Sequence, residues 1–192
     1  MPFADVPSFM ASLRKRDAVA ALALEFTILT AARSGEALGA RWQEIDLKQG
    51  IWTVPAARMK GGRAHRVALS RRASAVLKKL DAARTGEYVF PGQRPGKPLS
   101  GMAMEMILRR MKVEGVTVHG FRSSFRDWCG ELSTFSRELA EAALSHVSGD
   151  QTERAYRRGD ALEKRRTVLA DWDTYLAGVR RGSRGLLGTW PS

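Results

Sequence analysis

The residue types best suited to chemistry lie in the stretch Val118-His119-Gly120-Phe121-Arg122-Ser123-Ser124-Phe125-Arg126-Asp127-Trp128. At roughly 100° per residue it makes a two-faced helix, with Thr117 as a candidate N-cap ahead of it. Arg122 and Arg126 fall within about 60° of His119, while Phe121, Phe125, Trp128 and Leu132 lie roughly 180–240° around. An imidazole exchanges protons near neutral pH, and a guanidinium grips an oxyanion through a planar fork. Such a face suits the handling of an anion. The plainer alternative is a core helix with a solvated basic face.

The elements that must position this helix follow from the hydrophobic pattern around it. Two prolines precede a short helical stretch over 8–16. Residues 17–32 form a strongly apolar helix with Val19, Leu22, Phe26 and Leu29 near one face. Ser34 is the expected N-cap of the next short helix, with Glu36 favourable in its first turn. The period then changes. Residues 41–46, 51–54 and 65–69 read as three short strands joined by turns at Gln49-Gly50 and at 59–63, a small antiparallel sheet. Helix returns over 71–83, with Ala75, Val76 and Leu80 inward, and again over 100–113 with Ser100 as its cap; an extended piece at 88–90 and a loop at 91–98 lie between. Beyond the central helix come a helix over 136–144, a polar loop, a short helix carrying Tyr156 and a long helix over about 160–179. The fold class is α+β, mostly helical.

The chain of 192 residues is one or at most two domains, long enough to bury a hydrophobic core. A net charge of +12 and an isoelectric point near 10.7 point to a polyanionic partner, nucleic acid first and an anionic membrane surface second. A merely soluble basic protein is the alternative. Cys129, the single cysteine, rules out an intrachain disulfide or a multi-cysteine metal site and fits a reducing compartment. No long apolar run calls for a membrane span, and Asp5, Arg14, Lys15, Arg16 and Asp17 interrupt any signal-peptide pattern, so a cytoplasmic location is expected.

Further residues extend the pattern around His119: Arg33 after an apolar helix, Lys60 in a hairpin turn, His119-x-x-Arg122, then His146, then Tyr156. In this order the chain resembles the catalytic domain of the tyrosine recombinases, and within them the phage-type integrases. The strings that carry the resemblance are Thr30-Ala-Ala-Arg-Ser-Gly-Glu-Ala-Leu, Trp42-Gln-Glu-Ile-Asp, His119-Gly-Phe-Arg, Leu144-Ser-His and Ala155-Tyr-Arg-Arg, spread over roughly residues 15–176. No single string is specific, and the ordered set of six positions carries the match. The family's usual Thr-Gly-Leu-Arg is Thr-Ala-Ala-Arg here, and its Leu-Gly-His is Leu-Ser-His; neither change removes a catalytic group.

The resemblance implies the tyrosine-recombinase catalytic-domain fold over 1–180; the Gly-rich end at 181–192 reads as a flexible tail, and the arm-type and core-binding domains that family members carry ahead of the catalytic one are expected to be absent here. It also implies a site. Arg33 and Arg122 would clamp the non-bridging oxygens of a phosphodiester in flight. Tyr156 would be the nucleophile, forming a 3′-phosphotyrosyl link and a free 5′-hydroxyl. A phenol ionises near pH 10, so it needs a base or local positive charge, which Arg154, Arg157 and Arg158 supply. His119 would exchange the tyrosine proton, His146 would bind the phosphate or position the nucleophile, and Lys60 would protonate the leaving 5′-oxygen. Taken alone, Arg33 reads first as a helix-end arginine paired with an acid, Tyr156 as a half-buried tyrosine and Lys60 as a solvated turn lysine. His65 reads as a structural residue or a DNA contact. No cofactor is expected, and two histidines without a nearby acid or cysteine make a poor metal site.

The implied partners are double-stranded DNA attachment sites and, in the full-length protein, further copies forming a tetramer on DNA, with no membrane. A type IB topoisomerase and a catalytically decayed DNA-binding regulator are the rival readings. The integrase-like strings around Arg33 and Tyr156 disfavour the first, and the intact set of six the second. The charge excess leads to a direct expectation. Duplex DNA should be bound weakly and with little sequence preference, log affinity falling with log salt at a slope of about −0.9 per phosphate contact. An affinity that stays flat in a salt titration rules out a phosphate footprint.

Overall fold

A computed structural model of the protein describes residues 1–145 and 161–178. The expected short helix around Tyr156 and the tail at 181–192 lie outside the described residues. Helix α1 (Val6–Leu13) carries Pro7 in its first turn, where an N–H has no helical partner. Helix α2 (Val19–Thr30) is the centre of the domain. The sequence predicts one apolar stripe, but Ala21 and every residue from 23 to 30 are buried, while Val19 and Leu22 are only half-buried. Neighbours enclose it on several sides: α4 (Arg71–Asp81), α5 (Ala103–Arg110) and α8 (Leu162–Leu176) all pack against it.

Enclosure obliges the polar groups of α2 to find partners inside the protein. The hydroxyls of Thr27 and Thr30 donate back to the carbonyls of Ala23 and Phe26, each at 2.7 Å. The indole N–H of Trp172 on α8 donates to the Ile28 carbonyl at 2.9 Å. Buried Glu25 accepts from Nε of Arg14 at 2.6 Å and from Arg72 at 2.8 and 3.0 Å, so one carboxylate joins the end of α1, the middle of α2 and the start of α4.

The sheet is three-stranded and antiparallel in the order β1 (Ile45–Asp46), β2 (Ile51–Val54), β3 (His65–Ala68). Trp52 lies opposite Ile45 on one side and Val67 on the other. The first strand is shorter than the pattern predicts. Trp42–Glu44 turn into a 3-10 segment, and Arg41 bridges Tyr88 instead; the Trp42 N–H donates to the Glu87 carbonyl at 2.9 Å, which takes that backbone out of the sheet. Trp52 seats the sheet on α2, its ring 5.3 Å from Phe26, which in turn meets Phe90 at 5.5 Å.

Ser70 caps α4 by accepting from Ala73 N–H at 3.3 Å, and Ala73, Val76, Leu77 and Leu80 face the core. Ala75 faces solvent, contrary to expectation. Helix α5 starts at Ala103, and Ser100 offers its backbone carbonyl to Ala103 rather than a side-chain cap. Helix α6 (Gly120–Leu132) is the central helix. Phe125 and Trp128 interlock with Trp172 of α8 at 5.5 and 5.0 Å. Leu132, expected on the core stripe, is 60% exposed at the last position of the helix. Ser136 caps α7 (Arg137–Ala143) at the Leu139 N–H, 3.3 Å away.

Helix α2 stops at Ala31, which takes the left-handed conformation at φ 49°, ψ 28°. This is the position where the resembled family pattern, Thr-Gly-Leu-Arg, has glycine. An L-residue there costs roughly 1–2 kcal/mol, a cost glycine avoids. Glycine also gains more chain entropy on unfolding. Ala31→Gly should therefore raise stability by about 0.5–1 kcal/mol, read as a higher urea midpoint at unchanged slope. A lower midpoint contradicts a strained Ala31.

Candidate active site

Four of the expected site residues lie among the described residues: Arg33, Lys60, His119 and Arg122. His146 and Tyr156 lie outside them. Arg122 departs most from the expected solvated face. It is 5% exposed, while Arg126, one turn further on, is exposed and lies 3.8 Å from Asp127. The fork of Arg122 spans two helix ends: Nη1 donates to the Ala31 carbonyl at the end of α2, and Nη2 donates to the Leu144 carbonyl after α7 at 2.7 Å. Carbonyls at helix C-termini have no partner within the helix and carry the negative end of the helix dipole, so they suit a buried cation.

Burial first and the neighbouring positive charge of Arg33 second lower the Arg122 pKa to about 10, against the opposing pull of Glu36 and Glu141. The two guanidiniums are thus within electrostatic reach of each other. Arg33 is held by the first turn of α3 (Ser34–Leu38), where it occupies the N-cap position expected for Ser34. Glu36 accepts from the Arg33 backbone N–H at 2.9 Å and from its Nη1 at 2.7 Å. The acid pairing expected for Arg33 taken alone is thus present, with one edge of the guanidinium tied to Glu36.

His65 opens β3 and is half-buried beside this group. Its pKa is lowered to about 4, first by burial and then by Arg165, with Arg122 adding to the effect; Glu36 and the backbone of Ala143 oppose it. Arg165 on α8 is buried, and its Nη1 donates to the Arg66 carbonyl on β3. Arg33, Glu36, His65, Arg122 and Arg165 thus form one cluster around the end of α7.

Lys60 and His119 are exposed. Lys60 sits on the turn between β2 and β3, where Gly62 has φ 63° and donates its N–H to the Met59 carbonyl at 3.0 Å. His119 is the residue ahead of α6, and its carbonyl accepts from Arg122 N–H at 3.0 Å. Thr117, the candidate cap, accepts from Gly120 N–H through its hydroxyl at 3.1 Å.

Sequence reasoning gave Glu36 only a favourable place in a helix turn, although its i+3 spacing from Arg33 matches a capping box. It missed Arg165 altogether, because nothing in the Lys164-Arg165-Arg166 run marks its middle residue for burial. Among the described residues, no group of three or more His, Cys, Asp and Glu side chains is placed to hold a metal ion. Cys129 is buried, and burial pushes its thiol up to about 12.

The model of the phage integrase family matches residues 1–163, and the chain belongs to that family. It is 38% identical over 159 residues to prophage integrase IntA of Escherichia coli K12, covering 81% of this chain and 38% of the relative. To the integrase of Enterobacteria phage P4 it is 31% identical over 196 residues, covering 92% and 45% respectively. The chain therefore spans less than half the length of these relatives. Its fold is similar to that of the XerH site-specific recombinase in a post-cleavage complex with palindromic difH substrate: TM-score 0.62, 22% identity, 85% of this chain and 51% of that one. The expected tyrosine-recombinase catalytic-domain fold is borne out.

His65 makes the site's stability sensitive to acid. The unfolded histidine takes up a proton near pH 6.5, the folded one only near pH 4. Between these values the unfolded chain binds more protons, so stability falls as pH drops through the window. His65→Gln should lose less stability than the parent between pH 7 and pH 4.5 in urea unfolding. Equal losses in the two proteins refute the assignment.

Proposed function

We propose that this chain is the catalytic region of a site-specific recombinase that cleaves and rejoins double-stranded DNA through Tyr156. The observation that carries the reading is the pairing of Arg33 with buried Arg122. A buried guanidinium brought close to a half-buried one opposes folding, and an oxyanion between them relieves both desolvation and repulsion. A phosphodiester in its transition state supplies that charge. The family membership, the integrase names of the relatives and the basic charge excess support the same reading and favour it over a topoisomerase or a decayed regulator.

In this reading Tyr156 Oη attacks phosphorus, His119 accepts the phenolic proton, and the bond from phosphorus to the 5′-oxygen breaks. Lys60 gives the departing oxygen its proton, and His146 binds the phosphate or steadies the nucleophile. The covalent link conserves the energy of the broken bond, so the free 5′-hydroxyl rejoins by the reverse path without ATP. Residues 1–180 would form the catalytic domain and 181–192 a tail. The partners would be DNA attachment sites and, in the full-length protein, further copies forming a tetramer on DNA, with the cytoplasm as the place of action. Among the described residues no helix is long and apolar enough to cross a membrane.

Tyr156→Phe removes the nucleophilic oxygen and little else. On a nicked suicide duplex the parent chain should give an SDS-stable adduct and the Phe variant none, with DNA affinity retained. An adduct of the same yield from Tyr156→Phe assigns the nucleophile to another residue.

A further inference from the structure

We propose that Arg58 is a positioning residue that holds the Lys60 turn against α3, beside Arg33. The proposal rests on reading Lys60 as the general acid.

Arg58 ends a 3-10 turn at Ala56–Arg58, two residues before Lys60. Its Nη1 donates to the backbone carbonyl of Glu36 at 2.8 Å, and its Nη2 donates to the carboxylate of Glu44. Glu44 is itself fixed: its side chain is almost wholly buried and its Oε2 accepts from the Trp52 indole N–H at 3.1 Å. The guanidinium therefore bridges the base of the hairpin turn and the first turn of α3. Glu36 is the residue whose carboxylate holds Arg33, so it is gripped from both ends, by Arg58 at the carbonyl and by Arg33 at the carboxylate. The turn needs such an anchor. Strand pairing between β2 and β3 ends at Val54 and His65, and residues 60–64 are all exposed. Below them, buried Met59 and Arg58 join the turn to the body of the protein.

Gly39 gives an independent indication. Its φ of −82° suits any residue, so backbone conformation does not call for glycine. A Cβ built there would lie 2.8 Å from Arg58 Nη1 and 3.2 Å from the Gly35 carbonyl. The missing side chain is what lets the guanidinium reach Glu36.

A general acid acts only within hydrogen-bond reach of the oxygen it protonates, and a displacement of about 1 Å can cost about 10²-fold in rate. Loss of Arg58 leaves the carboxylate hold of Glu36 on Arg33 in place, so the defect should fall on the Lys60 turn and not on the clamp.

The test compares the parent chain with Arg58→Ala, Gly39→Ala, their combination, Lys60→Ala and Arg33→Ala on nicked suicide duplexes. The scissile phosphate carries either oxygen or sulfur at the 5′-bridging position. A thiolate leaves without protonation, since a thiol ionises near pH 8.5. Arg58→Ala should cleave the oxygen substrate about 10- to 100-fold slowly and recover most of its rate on the sulfur substrate. Lys60→Ala should show the same rescue from a deeper loss of about 10²–10⁴-fold, and Arg33→Ala should stay slow on both substrates. Gly39→Ala keeps Arg58 and should reproduce the rescued pattern, and the double variant should be no slower than Arg58→Ala, because both changes break one contact. Gly39→Ala also decides the matter if Arg58→Ala fails to fold. Variants at either position that cleave at the parent rate, or that are equally slow on both substrates while Lys60→Ala is rescued, overturn the positioning role. A Lys60→Ala variant left slow on both substrates overturns the general-acid reading itself, and the Arg58 proposal falls with it.

Discussion

The architecture of the site depends on one buried guanidinium joining two helix ends. Arg122 donates to the carbonyl that closes α2 and to the one that follows α7. Neither carbonyl has a partner inside its own helix, and the guanidinium, removed from water, needs oxygen acceptors. The three requirements meet at a single point. The cost is visible in the lowering of the Arg122 pKa to about 10. The left-handed turn at Ala31 belongs to the same arrangement, since it redirects the chain between the Ala31 carbonyl and Arg33. The end of the core helix, the phosphate-clamp candidate on α3 and the end of α7 are all fixed relative to one side chain.

Glu36 complements this cation. With two guanidiniums close together, a nearby carboxylate limits their repulsion, and a fully neutralising pair would leave nothing for a substrate. Glu36 ties one edge of Arg33 and exerts only an opposing pull on Arg122. Two of the hydrogen bonds of Arg122 go to carbonyls, which carry no net charge. The local balance stays positive while the guanidiniums remain oriented, and that combination suits electrostatic preorganisation toward an anion. A pair of carboxylates in place of the carbonyls would orient Arg122 equally well and cancel its charge.

Much of this was legible in the sequence, and the misses share a cause. Strands β2 and β3, the helices and the central position of α6 follow from apolar periodicity, a local signal that burial then obeys. Arg122 was singled out by its spacing from His119, but helical periodicity places a polar residue on the polar face and says nothing about whether another element covers it. The end of α7 does cover it, more than twenty residues away in sequence. The same limit applies to α2, whose enclosure on several sides depends on helices from both halves of the chain. Trp42–Glu44 left the strand because a distant carbonyl, that of Glu87, took the N–H of Trp42. Glu36 and Arg58 illustrate the remaining gap. The first is visible locally as a capping spacing. The second reaches a backbone carbonyl 22 residues away, a contact no motif records.

The cluster also has a fixed charge state. Arg122, lowered to about 10, keeps its proton throughout the neutral range, and His65, lowered to about 4, has lost its own well before that range begins. A protonated His65 would add a third positive charge beside Arg122 and Arg165, which burial disfavours further. A neutral imidazole fills this place between the cations without competing for a bound anion or changing the net charge around it. Neither Arg122 nor His65 therefore changes charge across neutral pH, and in the reading proposed above proton transfer falls to groups outside the cluster. His119 and Lys60, proposed above for that role, are exposed, one ahead of α6 and one on a turn, apart from buried Arg122 and half-buried His65.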